Sequence, residues 1–197
     1  WARMPCSMPV DAAAVPPDLV GVVLAAGRPS ASARTSAGPS WRGEPLLAHA
    51  LAAARAVCER VLVVVEMPDP RLDRLLARLP AEAVICPRAG EGLAASRRCA
   101  IDRLADERPD GVLFFLGDMP MVPIDQVRHL VEHMRSAGRP VRPVHDSQPG
   151  HPVACPGGWL DHLAERGFPA REGQLIDCAH PGVVRDVDCP ADLAALR

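Results

Sequence analysis

The sequence predicts a doubly wound α/β domain, a mostly parallel sheet with helices on both faces and a small antiparallel insertion. Four short apolar runs, at 19–24, 60–65, 82–86 and 111–116, lack in–out alternation and read as strands buried on both faces. Helical segments separate them, and the resulting β-α-β-α-β-α-β-α order folds into one sheet through right-handed crossovers. A length of 197 residues, 48% of them apolar, suits one well-buried domain.

Taken in order, residues 1–18 lack periodicity and are broken by prolines, so they read as a disordered leader ahead of a single domain over 19–197. They carry neither the basic start nor the continuous apolar core of a signal peptide. The run Leu19-Val20-Gly21-Val22-Val23-Leu24 is the first strand. Residues 46–58, rich in Ala and Leu, form a helix, and Leu72, Leu75, Leu76 and Leu79 make one apolar helical stripe. Residues 92–106 and 124–135 supply two more helices. Beyond Gly138 the regularity fades, and 139–158 has the spacing of two short strands around a loop. The end, 182–196, reads as a strand and then a helix with Pro190 in its first turn.

Composition excludes several classes. A formal charge of −2 offers no footprint for nucleic acid. The apolar runs are far shorter than the ~18 residues of a membrane span. Seven cysteines without a C-x-x-C pair suggest neither a disulfide framework nor a zinc site, and they fit a cytoplasmic protein with cysteines in its core. All 22 basic residues are arginine, and the chain has no lysine and no tyrosine.

In an open parallel sheet, ligands bind beyond the carboxyl ends of the strands. Four stretches fall there. Ala25-Ala26-Gly27 follows the first strand and is small enough for backbone N–H groups to approach a phosphate. Gly92 opens a helix after the third strand. Asp118 follows the fourth, and Asp186 and Asp188 lie near the end. Singly, each has a structural reading: Gly27 and Gly92 as turn glycines, Asp118 and Asp188 as helix caps, His151 as a loop residue. Together, two aspartates facing a phosphate-sized glycine loop offer the oxygen ligands that Mg²⁺ prefers.

The ordered motifs LAAG, GEPLL, GLAAS, LGDMP, GHPV and DVDCPADL, spread over residues 19–196, resemble the molybdenum-cofactor nucleotidyltransferase family. The resemblance implies a three-layer Rossmann-like nucleotidyltransferase fold and transfer of a nucleotide from CTP or GTP to molybdopterin or a related phosphorylated acceptor. It assigns Leu24, Ala25, Ala26 and Gly27 to the nucleotide, Gly92 and Ser96 to the segment framing base and ribose, and Gly150, His151 and Pro152 to the pterin side. Asp118 would hold Mg²⁺, with Asp188 as the second acidic position. A molybdoenzyme is an implied partner.

The departures from that pattern are informative. The family's loop continues with an arginine, a glycine and a lysine, and the matching positions here are Ala31, Ala33 and Ser36. The glycine-aspartate motif after the pterin loop appears only as GFPAREG. Losing one cation that grips a transition state costs about a hundred- to a thousandfold in rate. Arg28, Arg34 or Arg42 could substitute, since guanidinium also binds phosphate. Three readings follow: a Mg²⁺-dependent transferase with Asp118, Arg28 and Arg34 as catalytic groups, a catalytically weak nucleotide- or cofactor-binding paralogue, or the fold reused as a reductase.

Overall fold

Gly21 sets the spacing of the first layer. A Cβ there would lie 3.2 Å from the Ala54 Cβ and 3.3 Å from a Val61 methyl, so the alanine-rich helix lies directly on the strand. The computed structural model describes residues 2–4, 18–25, 40–168 and 172–196. Within these the strands are β1 (Ala2–Met4), β2 (Leu19–Leu24), β3 (Ser40–Trp41), β4 (Glu44–Pro45), β5 (Arg60–Val65), β6 (Glu82–Ile85), β7 (Gly111–Leu116), β8 (Val141–His145), β9 (Gln148–Pro149), β10 (Val153–Pro156) and β11 (Gln174–Asp177). The helices are α1 (Leu46–Arg55), α2 (Pro70–Arg78), α3 (Leu93–Leu104), α4 (Ile124–Ala137), α5 (Leu160–Arg166) and α6 (Pro190–Ala195).

The main sheet runs β1-β11-β8-β10-β7-β2-β5-β6, with β9 beside β8. Strands β2, β5, β6 and β7 pair in parallel, as do β1, β11 and β8. Strand β10 is antiparallel to both β7 and β8, and β3 and β4 form a separate antiparallel pair. Side-chain alternation divides the core into two layers. Val23, Val63, Leu113 and Phe115 meet Leu51, Ala54, Leu72 and Leu130 on one face. Val22, Leu62, Val64 and Phe114 meet Ile101, Leu104 and Leu163 on the other. This is the three-layer arrangement expected, with a mostly parallel sheet.

Several details differ from expectation. Part of the presumed leader, Ala2–Met4, adds a parallel strand beside β11, because that edge offers an open row of backbone donors and acceptors. Strand β6 is largely exposed rather than buried on both faces, since it forms the opposite edge. The insertion contains three strands, β8 to β10, rather than two. Strand β11 and helix α5 carry too few apolar residues to stand out in the sequence. The strand expected within 182–188 is absent among the described residues. Val183 and Val187 are buried, but that segment bonds singly, through His151 N–H to the Val183 carbonyl (2.7 Å) and Val187 N–H to the Asp118 carbonyl (3.0 Å).

The cysteines also require a correction. Cys86 and Cys99 form a disulfide with a Cα–Cα distance of 6.0 Å. The pairing arises because the end of β6 lies against α3, a proximity that sequence spacing does not reveal. Cys58, Cys155 and Cys178 are buried, as expected of core cysteines. Among the described residues no helix is long and apolar enough to cross a membrane.

Two adjacent glycines provide a test of the packing. A Cβ on Gly157 would overlap the Pro109 carbonyl oxygen, whereas one on Gly158 would meet nothing within 4 Å. Gly157→Ala is expected to destabilise the fold by about 2–4 kcal/mol and Gly158→Ala by less than about 0.5 kcal/mol. Urea unfolding of the two variants beside the unchanged protein measures the difference.

Candidate functional site

Strand β2 has β5 on one side and β7 on the other, so the strand order reverses at β2. Crevices beyond the carboxyl ends of strands at such a reversal bind ligands. Here the ends of β2 and β7 are held together. Gly117 N–H donates to the Leu24 carbonyl (3.0 Å), and Ala25 N–H donates to the Val64 carbonyl (2.9 Å). A Cβ on Gly117 would lie 3.1 Å from the Ala25 Cβ, so small residues set this approach. Leu24 is buried and contributes backbone. Ala26, Gly27, Arg28 and Arg34, with Ala31, Ala33 and Ser36, lie outside the described residues.

Asp118 follows Gly117, and its Oδ1 is buried without a hydrogen-bond partner among the described residues. Burial, aided by the nearby Asp186 and Asp188 and partly offset by a hydrogen bond from its own backbone, pushes its pKa up to about 6. The Val187 N–H bond to the Asp118 carbonyl brings these two acids alongside. Asp186 and Asp188 are exposed on either side of Val187, which is buried.

The capping alternatives do not describe either aspartate. Pro123 occupies the N-cap position of α4, so Asp118 is not its cap. At α6 the Asp192 carboxylate accepts from the backbone N–H groups of Asp188 (3.0 Å) and Cys189 (2.8 Å), leaving the Asp188 side chain out of the cap. The three carboxylates are neighbours rather than a closed cage: among the described residues no three such side chains surround a common cation position. An orphaned buried carboxylate oxygen with two further carboxylates beside it nevertheless fits a hard cation that takes oxygen ligands.

The segment 150–152 lies against the same C-terminal stretch. A Cβ on Gly150 would overlap the Val183 carbonyl oxygen, and one on Gly182 would overlap that of Met121. Arg142 donates from Nε (3.1 Å) and Nη2 (2.9 Å) to the Gly150 carbonyl. His151 precedes a cis peptide bond to Pro152, and its Nδ1 lies 3.3 Å from the Phe114 carbonyl. Burial and the adjacent Arg142 push the His151 pKa down to about 4, so it is neutral at neutral pH.

On the opposite flank, Gly92 has φ 118° at the start of α3 and open space where a Cβ would be, so backbone conformation is what requires glycine there. Ser96, one helical turn on, is 3% exposed and packs inside rather than fronting open space. Arg42 stacks on Trp41, its Cζ 4.3 Å from the ring centroid. Asp186 was a candidate of the sequence without an assigned role, and the Val187 bond gives it a place beside Asp118.

Asp118 supplies a pH test. A carboxyl whose folded pKa is raised favours its protonated form in the native state. Its contribution to stability is therefore complete below about pH 4 and is lost as pH rises towards about 6. In chelator at pH 7.5, Asp118→Asn is expected to stabilise the fold, by up to about 3 kcal/mol. Mg²⁺ or Mn²⁺ should raise the melting temperature of the unchanged protein and leave the variant unmoved. Thermal unfolding with and without the cation measures both effects.

Comparison with known proteins agrees with this architecture. The MobA-like NTP transferase domain family matches residues 21–180. The phosphoenolpyruvate guanylyltransferase of Sphaerobacter thermophilus is 31% identical over 167 residues, covering 77% of this chain and 76% of that protein. A probable molybdenum cofactor guanylyltransferase of Rhodopirellula baltica is 26% identical over 195 residues, covering 91% and 92%. Among solved structures, Rv0371c of Mycobacterium tuberculosis in complex with manganese has a TM-score of 0.69 at 22% identity, covering 91% of this chain and 97% of that one, a likeness of fold. The match over most of the chain and the shared architecture lead to one conclusion: this protein belongs to the MobA-like NTP transferase domain family.

Proposed function

We propose that this chain transfers a nucleotidyl group from GTP or CTP to a small phosphorylated acceptor. The Asp118 carboxylate at the strand-order reversal, whose Oδ1 is buried without a partner among the described residues, carries this reading. In the reaction an oxygen of the acceptor phosphate bonds to the α-phosphorus, the bond from that phosphorus to the bridging oxygen breaks, and pyrophosphate leaves with the electron pair. Both reactants are anions, so the protein's task is to position them and offset negative charge.

Asp118 and Asp188, with Asp186 beside them, would hold a divalent cation. That ion, Mg²⁺ by the chemistry of the oxygen donors, would neutralise phosphate charge when bound. Leu24 and Ala25, with Ala26 and Gly27, would bring backbone N–H groups to the phosphates, and Arg28 and Arg34 would provide the cations. Gly92 would frame the nucleotide from the α3 side, with Ser96 packed behind it, and Gly150, His151 and Pro152 would border the acceptor. Neutral His151 offers a hydrogen bond there rather than a charge.

The acceptor is either pterin-based, as the name of the Rhodopirellula relative indicates for that protein, or phosphoenolpyruvate-like, as that of the Sphaerobacter relative does. A second reading, a binding paralogue that serves a molybdoenzyme without transfer, is favoured by one observation: the chain has no lysine.

Pyrophosphate release with GTP or CTP and Mg²⁺, assayed with molybdopterin and with phosphoenolpyruvate, separates the readings. Release with either acceptor supports transfer. Nucleotide binding without release on any acceptor supports the binding paralogue. Restoring both missing cations, Ala31→Arg with Ser36→Lys, should tighten GTP or CTP binding at least about tenfold. If Arg28 and Arg34 already do this work, the double substitution changes little, and Arg28→Ala or Arg34→Ala weakens binding instead. No effect from either set removes the triphosphate from this loop.

A further inference from the structure

On α3, one residue past Ser96, Arg97 is half-buried with its Cζ 4.8 Å from the centroid of the Phe168 ring. Phe168 meets Phe114 edge-on at 5.5 Å and His151 at 6.4 Å. A single aromatic cluster therefore joins Arg97 to the 150–152 segment. Gly167, at φ 79°, stands beside the guanidinium, and a Cβ there would lie 3.1 Å from Arg97 Nη2.

The other two arginines of α3, and Arg88 shortly before it, have carboxylate partners. Arg98 pairs with Asp102, Arg103 with Glu82 and Glu107, and Arg88 with Glu91. Arg97 forms no ion pair or hydrogen bond among the described residues. Burial disfavours its charged form, yet a guanidinium keeps its proton at neutral pH. Charges withdrawn from water are ordinarily paired. The titratable groups nearby do not serve: His151, across the Phe168 ring, is neutral, and burial pushes the Cys155 thiol up so that it keeps its proton. The side chain is thus a preset fork of donors, braced by an aromatic face, at the acceptor border.

We propose that Arg97 determines acceptor specificity by binding a carboxylate that the acceptor carries in addition to its attacking phosphate. This rests on the transfer reading above and narrows the acceptor to a small phosphorylated carboxylic acid. The reacting phosphate belongs near Asp118, where charge must be offset during transfer. The second anion lies on the Phe168 side, where a planar carboxylate meets the guanidinium through two parallel N–H···O bonds.

Calorimetric titration of the full chain, with Mg²⁺ and a non-hydrolysable GTP or CTP analogue, tests the proposal with phosphoglycolate and its uncharged amide, phosphoglycolamide. The unchanged protein is expected to bind phosphoglycolate about ten- to a hundredfold more tightly than the amide. Arg97→Gln should abolish that preference while leaving nucleotide affinity alone, and Arg97→Lys should restore part of it. Equal binding of acid and amide by the unchanged protein, a comparison that requires no variant, overturns the proposal. So does a preference that survives in a folded Arg97→Gln protein.

Pyrophosphate release with phosphoenolpyruvate distinguishes the two claims. An Arg97-dependent preference without release on any acceptor keeps the carboxylate site and removes the transfer reading. Release that is indifferent to Arg97 and to the carboxylate keeps transfer and removes this inference.

Discussion

Leu19–Leu24 of β2 pairs in parallel register with Gly111–Leu116 of β7, so the chain, having moved outward through β5 and β6, must cross back over the sheet by α3. That return leaves two strand ends side by side, each running into a loop. One loop leads to the glycine-containing segment and the other to Asp118. The elements on the β7 side then supply the remaining groups: β10 brings in His151, and the stretch before α6 runs past Asp118. If β7 were paired elsewhere, these residues would have no common crevice.

Electrostatics at this crevice oppose the fold rather than support it. Asp118 is withdrawn from water, lacks a partner for Oδ1 among the described residues and has two further acids nearby. Arg97, on the other flank, is half-buried with no carboxylate paired to it among the described residues. The surface ion pairs, by comparison, lie at exposed positions where each contributes at most about 1 kcal/mol. The unfavourable charges persist because the two apolar layers hold the strands regardless. An arrangement costly to the empty protein lowers the cost of binding a ligand of complementary charge.

The sequence made the central part of the fold legible because β2, β5 and β7 are continuous apolar runs and α1 to α4 carry helical periodicity. Burial on both faces leaves that mark, and edges do not. Strand β1 holds three residues, and β11 is Gln-Leu-Ile-Asp, neither of which departs from loop composition. Val183 and Val187 misled in the opposite sense, since they alternate as in a strand while the backbone makes only isolated bonds. At the site, Asp118 and Asp188 could be singled out because acids at strand ends are conspicuous. Arg97 could not: its half-burial against the Phe168 ring, with no carboxylate beside it among the described residues, is a property of three dimensions. The bond between Cys86 and Cys99 was hidden likewise, because only the docking of α3 against the end of β6 brings them together.

That bond also acts where no structure exists. A link between positions 13 apart forbids the unfolded chain every conformation in which those positions separate. On a chain-entropy account this favours the native state by about 3 kcal/mol, a large share of a typical domain's stability. The tethered span contains Gly92 and Ser96. Oxidised and reduced chains can therefore share one native architecture while the reduced chain escapes from it more readily, by an amount set in the disordered ensemble rather than by any contact in the folded one.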